Sequence, residues 1–112
     1  MPRRISWIKA ALRDFGEFPE DVRRRVTRAL RFAANGEKDE KAKPFKGHGS
    51  GVFEVALQHK GDAFRVVYDV QTDTDVWVVH AFQKKSKTGR KTDQLDKELI
   101  RERLTRLRER LA

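Results

Sequence analysis

Phe53-Glu-Val-Ala-Leu-Gln58, Phe64-Arg-Val-Val-Tyr-Asp-Val70 and Val76-Trp-Val-Val-His-Ala-Phe82 are three apolar runs separated by little more than turn residues. In the first, Phe53, Val55 and Leu57 alternate with Glu54, Ala56 and Gln58, the period of a half-buried strand. β-Branched and aromatic residues, which favour strands, dominate the other two. Lys60-Gly61-Asp62 and Thr72-Asp-Thr-Asp75 supply the turns. Links this short join antiparallel neighbours, so the spacing predicts a three-stranded meander.

The rest of the chain is arranged around that meander. Ile5 and Trp7 alternate with polar neighbours and predict a short first strand. Ile8, Ala11, Leu12 and Phe15 recur at helical spacing, and Gly16 ends that turn. Pro19 suits a first helical position, with Glu20 and Asp21 where the helix dipole favours acids. Val22, Val26, Ala29, Leu30 and Ala33 then form one apolar stripe that Asn35-Gly36 terminates. Residues 37–51 read as a charged loop containing Gly47, Gly49 and Gly51. At the C-terminus, Thr92 is a candidate N-cap with Asp93 and Asp96 in the first turn. Ile100, Leu104, Leu107 and Leu111 form the seam of a helix that Leu95 and Leu99 widen. The expectation is one α+β domain over 1–112: a small antiparallel sheet, an N-terminal helical hairpin and a C-terminal helix.

The chain holds 26 Lys and Arg against 17 Asp and Glu, a net charge of +9 over 112 residues. An excess of that size draws polyanions or acidic proteins. There is no cysteine, which removes disulfides and thiolate metal sites. No run approaches the roughly 20 apolar residues of a membrane span, and the basic start lacks the apolar core of a signal peptide. A cytoplasmic protein is the expectation.

Three constellations carry chemistry. Arg65 stands mid-strand, and alternation puts it on one face with Val67 and Asp69, opposite Phe64, Val66 and Tyr68. It offers either a fork for phosphate or a salt bridge to Glu54 or Asp69. After the third strand come Lys84, Lys85, Lys87, Arg90 and Lys91, which either grip a polyanion and stabilise phosphorane charge or form a solvated tail. Lys43, Lys46 and His48 lie in the glycine-bearing loop, where Lys46 can reach a phosphate. His80 is either a proton shuttle or a hydrogen-bonded core residue. The histidines and carboxylates show no metal-ligand spacing, and no Ser-His-Asp arrangement is visible.

The order of elements and several motifs resemble the RelE/HigB-type toxins, in the phage-derived branch of the RelE/ParE superfamily. The matching pieces are Asp14-Phe15 with Phe18-Pro19-Glu20, Ala42-Lys-Pro-Phe-Lys-Gly47, Gly51-Val-Phe-Glu54, Phe64-Arg-Val-Val-Tyr68, His80-Ala-Phe-Gln-Lys-Lys-Ser-Lys87 and Ile100-Arg-Glu-Arg-Leu104. The resemblance spans nearly the whole chain, and His-Ala-Phe-Gln-Lys-Lys-Ser is its most specific part. It implies a RelE-like fold with helices on one face of the sheet. It further implies the toxin of a two-component toxin–antitoxin system, an endoribonuclease that cuts mRNA on the translating ribosome. The chemistry implied is attack of a ribose 2′-hydroxyl on the adjacent phosphate, without metal or cofactor.

Carried over by position, Arg65 contacts the scissile phosphate, and Lys84 and Lys85 stabilise the transition state or transfer a proton. Lys43, Lys46, Lys87, Arg90 and Lys91 hold RNA. Where the RelE branch has catalytic lysines on the first hairpin strand, this chain has Glu54 and Ala56. The base then falls to Glu54, or to Lys46, His80 or the tail lysines. The implied partner is a cognate antitoxin of helix-turn-helix type. Two other readings share the scaffold or the charge: a ParE-like poison of DNA gyrase, and a basic nucleic-acid-binding module without catalysis.

Overall fold

The computed structural model describes residues 2–85 and 94–111, with the side chain of Lys85 outside that description. The elements run β1 (Arg4–Trp7), α1 (Lys9–Phe15), α2 (Glu20–Ala34), β2 (Ala42–Pro44), β3 (Val52–His59), β4 (Asp62–Asp69), β5 (Asp75–Lys85) and α3 (Gln94–Leu111). The five strands form one sheet in the order β1-β5-β4-β3-β2.

The expected meander is β3-β4-β5, antiparallel throughout. Its first turn closes with His59 opposite Asp62. The two residues between, Lys60 and Gly61, have φ of 51° and 87°. Positive φ at both central positions is the backbone of a type I′ hairpin, whose twist matches that of the flanking strands. Glycine adopts it freely, and Lys60 does so against a steric cost.

Two features of the sheet differ from the sequence expectation. Ala42–Pro44, read as loop, forms an edge strand antiparallel to β3, with Lys43 opposite Glu54. Three residues ending in proline carry no periodic signal, and proline is tolerated at such an edge. The first strand was foreseen, but it lies parallel to β5, making the sheet mixed. Parallel pairing needs a long crossover, and here everything from α1 to β4 intervenes.

The sheet is covered on both faces, which corrects the implied one-sided arrangement. One core joins Ala11, Phe15, Val22, Val26 and Leu30 of the hairpin helices to Val55, Phe64, Val66, Tyr68, Val76 and Val78. The other joins Ile100, Leu104 and Leu107 of α3 to Val52, Val67 and Val79. β4 and β5 thus bury apolar side chains both ways, so their sequences run apolar without clean alternation. Phe18 packs edge-on against Phe64 with ring centroids 5.0 Å apart. Pro19 sits one residue before α2 rather than within it, and its carbonyl accepts the amide of Arg23. The expected N-cap residues of α3, Thr92 and Asp93, lie outside the described residues. No described helix is long and apolar enough to cross a membrane.

The loop after α2 is fastened by Asp39, buried and gripped by both terminal nitrogens of Arg25 at 3.0 and 2.9 Å. The Lys41 amide donates to the same carboxylate. These donors, Arg25 foremost, hold the Asp39 carboxyl below the usual range despite burial. A depressed pKa contributes stability that is present above the ordinary aspartate value, about 4, and is lost as pH falls through the depressed one. Asp39→Ala is expected to cost about 2 kcal/mol at neutral pH, the scale of hydrogen bonds to a charged group. Thermal unfolding followed from pH 7 to pH 2 checks it: the gap between wild type and variant closes toward the acid end.

Candidate active site

Register decides which side chains meet. On β3, β4 and β5, directly opposed residues share a face. Glu54, Val67 and His80 form one cross-strand row, Ala56, Arg65 and Phe82 the next, and Ala63 stands opposite Lys84 in the third. Lys43 extends the first row onto β2. Lys43, Glu54, Arg65, His80 and Lys84 therefore gather on the face that α3 covers in part.

That gathering requires an irregularity in β5. Val67 is opposite His80, whereas Tyr68 is opposite Val78, which leaves Val79 without a counterpart. Such a β-bulge shifts the parity of the strand. Val76 and Val78 face the hairpin helices, while His80, Phe82 and Lys84 beyond the bulge face the other way. Strict alternation would have kept all five on one face. Tyr68 stays on the helical-hairpin face as alternation predicts, buried and stacked on Phe53. Desolvation pushes its hydroxyl up to about 12, which suits a core residue rather than a proton donor.

Arg65 makes the salt bridge that was one of its two expected roles. Its Nη1 lies 3.2 Å from each oxygen of Glu54, a diagonal pair across β3 and β4. Both side chains are about 15% exposed, at 14% and 15%. The guanidinium–carboxylate pair is therefore largely shielded, and its electrostatics exceed their value in bulk water. Lys84 is buried, at 5% exposure, unlike a solvated tail residue. Burying an ammonium is costly unless it is compensated, so the position is a built feature. Lys43 and Lys46 are exposed. Lys85 pairs with Asp62 in the backbone register; its side chain, with Lys87, Arg90 and Lys91, lies outside the described residues.

His80 is held at both ring nitrogens by α3. Arg103 Nη1 lies 2.9 Å from Nδ1, and Nε2 lies 2.8 Å from Asp96 Oδ1. A guanidinium only donates, so Nδ1 is an acceptor and the proton sits on Nε2, donated to Asp96. The ring is a neutral imidazole in one tautomer. Burial lowers its pKa, against the opposing pull of Asp96. Arg103 also donates to the Val79 carbonyl at 3.0 Å, at the bulge itself. Asp96 and Arg103 were not singled out as partners of His80. Their signal was present: with Ile100, Leu104 and Leu107 they fall on one stripe of α3, where charged residues need partners.

The glycine-bearing loop is also tied to α3. Arg108 reaches buried Asp69 at 3.7 Å and the His48 carbonyl at 3.5 Å. His48 packs on Phe45, ring centroids 4.8 Å apart. Gly47, Gly49 and Gly51 all have φ near +90°, which explains that glycine spacing. Among the described residues no three His, Asp or Glu side chains converge as a metal site does.

The family model described as Phage derived protein Gp49-like (DUF891) matches residues 13–105. The chain belongs to that Gp49-like family. Its fold is similar to that of a mutant of the Escherichia coli toxin RelE in the free state, at TM-score 0.63 and 18% identity, covering 95% of this chain and 98% of that one. The isolated E. coli RelE toxin follows at TM-score 0.58 and 17% identity, covering 89% and 97%. A chain of the RelBE2 toxin–antitoxin complex from Mycobacterium tuberculosis aligns at TM-score 0.52 and 17% identity, covering 75% of this chain and all of that one. No curated protein sequence is a significant match. The Gp49-like chain thus has the RelE-like α+β fold, and its resemblance to phage-derived RelE/HigB-type toxins is borne out.

The His80 linkage carries a pH dependence. The folded pKa is lowered from 6.5, so the stabilisation is complete above that value and is lost as pH falls through the lowered one. Protonated Nδ1 would point a proton at the Arg103 guanidinium. The protection factors of the Ile100–Leu107 amides, hydrogen-exchange rates corrected for their intrinsic pH dependence, are expected to fall below neutral pH in the wild type. Arg103→Leu is expected to cost about 1.5–3 kcal/mol, the scale of a lost charge-assisted hydrogen bond, and to flatten that pH dependence.

Proposed function

We propose that this RelE-type protein is the toxin of a toxin–antitoxin system and acts as a ribosome-dependent endoribonuclease on translated mRNA. The observation that carries the proposal is the Glu54–Arg65 pair, partly exposed on a sheet face that also bears Lys43 and Lys84. A carboxylate against a guanidinium is what metal-independent transfer at an RNA phosphate needs. Arg65 holds the phosphate oxygens, and the phosphate so held brings the neighbouring ribose within reach of Glu54.

In this reading Glu54 takes the proton from the 2′-hydroxyl as its oxygen attacks phosphorus. Arg65 and Lys84 balance the charge that builds on the phosphorane. Lys84 gives a proton to the departing 5′-oxygen as the P–O bond breaks. The products are a 2′,3′-cyclic phosphate and a 5′-hydroxyl end. DNA, lacking the 2′-hydroxyl, is not cut. Lys43, at the sheet edge beside Glu54, and Lys46 beyond it hold the RNA backbone, with Lys87, Arg90 and Lys91 assigned the same work from sequence and Lys85 assigned transition-state stabilisation beside Lys84. His80 acts as a positioning residue that fastens α3 behind the bulge. The RelBE2 complex supports an antitoxin as the protein partner, and a helix-turn-helix type fits the phage-derived branch.

Mapping new RNA 5′ ends in a translating extract tests the nuclease. Wild type is expected to give codon-phased cuts with 5′-hydroxyl ends, absent when translation is blocked. Arg65→Ala and Lys84→Ala should each lower the cutting rate by about 100-fold or more, the scale of losing one preorganised charge stabiliser. Glu54→Gln should lower it comparably while leaving RNA binding intact. Intact messages beside arrested growth would overturn the proposal.

A further inference from the structure

A pocket of about 280 Å³ opens between the end of α2 and the β3–β4 pair, on the face of the sheet opposite Glu54 and Arg65. Register sets that placement. Phe53 stands opposite Tyr68 in the row beside Glu54 and Val67, and successive rows point to opposite faces. The floor is apolar, built from Val70 and from the rings of Phe53 and Tyr68, which stack with centroids 5.9 Å apart and planes 20° from parallel. The rim is charged. Lys38 and Arg3 stand there against Glu37, with the Lys38 ammonium over the Phe53 ring, 5.8 Å from its centroid. The Arg3 amide donates to the Ala34 carbonyl at 2.9 Å, which fixes the approach to β1 beside the end of α2.

One atom on that floor lacks a partner. Tyr68 is 2% exposed, and a tyrosine so deep ordinarily has its hydroxyl hydrogen-bonded. Among the described residues nothing bonds to it. Asp39, whose charge reaches the ring, is already held by Arg25 and the Lys41 amide. Nor is the oxygen sealed in, unlike the buried orphan atoms of His48 and Asp69. The small exposed part of Tyr68 therefore includes it, and the pocket is what it meets. Burial pushes the phenol up to about 12, so at neutral pH it offers an uncharged donor. A single water would satisfy the hydroxyl and leave the surrounding rings and Val70 wet. A flat ring satisfies more. It stacks on the aromatic floor with an acceptor over the hydroxyl, and an anionic group on that ring reaches Lys38 and Arg3 at the rim. The volume lies at the small end for ligand sites, so one ring system fills it.

We propose that this pocket is a binding site for a small planar aromatic anion, with its ring on Phe53, an acceptor at the Tyr68 hydroxyl and a carboxylate or phosphate between Lys38 and Arg3. The site does not rest on the nuclease reading, whose residues lie on the other face of the sheet. Aromatic carboxylates and mononucleotides share the chemistry it recognises, a flat ring with one anionic head. Tyr68 donates a hydrogen bond here and transfers no proton.

The test titrates the full chain, labelled with ¹⁵N, with indole-3-acetate and separately with uridine 5′-monophosphate. At least one is expected to shift the amides of Lys38, Phe53 and Val70 saturably, and the tighter of the two identifies the head group. The halves alone, indole and acetate or uridine and inorganic phosphate, should bind about tenfold or more weakly, since ring and charge each contribute. Tyr68→Phe removes one oxygen that no described residue satisfies, so the free protein should melt at an unchanged or higher temperature. The same variant should weaken the probe about fivefold or more, the scale of one hydrogen bond. Lys38→Glu, at an exposed position, should weaken it about tenfold or more by reversing a rim charge. No saturable shift with either probe would overturn the proposal. So would equal shifts with inorganic phosphate or acetate alone, which mark an unspecific cationic rim. Unchanged affinity in Tyr68→Phe would overturn it too, marking a hydroxyl served by water. Arg65→Ala should keep probe binding while losing RNA cutting, so failure of the nuclease reading and failure of this one are separately visible.

Discussion

The single extra residue at Val79 governs which side chains share a face of the sheet. A strand has a side-chain period of two, so a slip of one flips everything beyond it to the other side. Val76 and Val78 are committed to the core beneath the helical hairpin. Without the bulge, His80, Phe82 and Lys84 would follow them into that core. With it, they join Arg65 and Glu54 on the opposite face. A bulge leaves backbone groups that the ladder does not satisfy, and the Val79 carbonyl is taken up by Arg103 of α3. The helix that covers one end of this face therefore also secures the irregularity that builds it.

From that latch follows a division of labour among the charged residues. His80, Asp96 and Arg103 form a closed set in which each hydrogen-bonding site of the imidazole is used. Arg25 and Asp39 form another, fastening the loop that leads into β2. Arg108 and Asp69 form a third, tying the end of β4 to α3, and the same arginine reaches the His48 carbonyl of the glycine-bearing loop. Burial pushes the Asp69 carboxyl up against the pull of Arg108, which marks that pairing as weaker than the bidentate grip on Asp39. Glu54 and Arg65 differ from all three in lying on a sheet face that also bears Lys43 and Lys84.

The architecture also sorts the cations of a chain at +9. Cations spread over α2 and α3 raise the local concentration of any polyanion. Those placed against acids inside the fold are spoken for. What distinguishes the proposed catalytic face from the pocket at the end of α2 is the company the cations keep: a carboxylate and a buried lysine in one, two stacked aromatic rings in the other.

Local patterns determined a good deal of this protein. The alternation in Phe53–Gln58, the Lys60-Gly61 turn, the stripe of Val22, Val26, Ala29, Leu30 and Ala33, and the seam of α3 each announce an element, because side-chain period and turn chemistry are properties of short stretches. The motifs announced the family for the same reason. Arg65 on a face opposite Tyr68 was equally legible. Other features had no local signature. The parallel placement of β1 beside β5, the strand at Ala42–Pro44, the second covered face of the sheet and the bulge all depend on contacts between residues far apart in the chain. So does the fate of His80, which sequence leaves open between proton shuttle and core residue. Asp96 and Arg103 hold it from a helix 16 and 23 residues away, and only the packing of α3 on the sheet brings them to its ring.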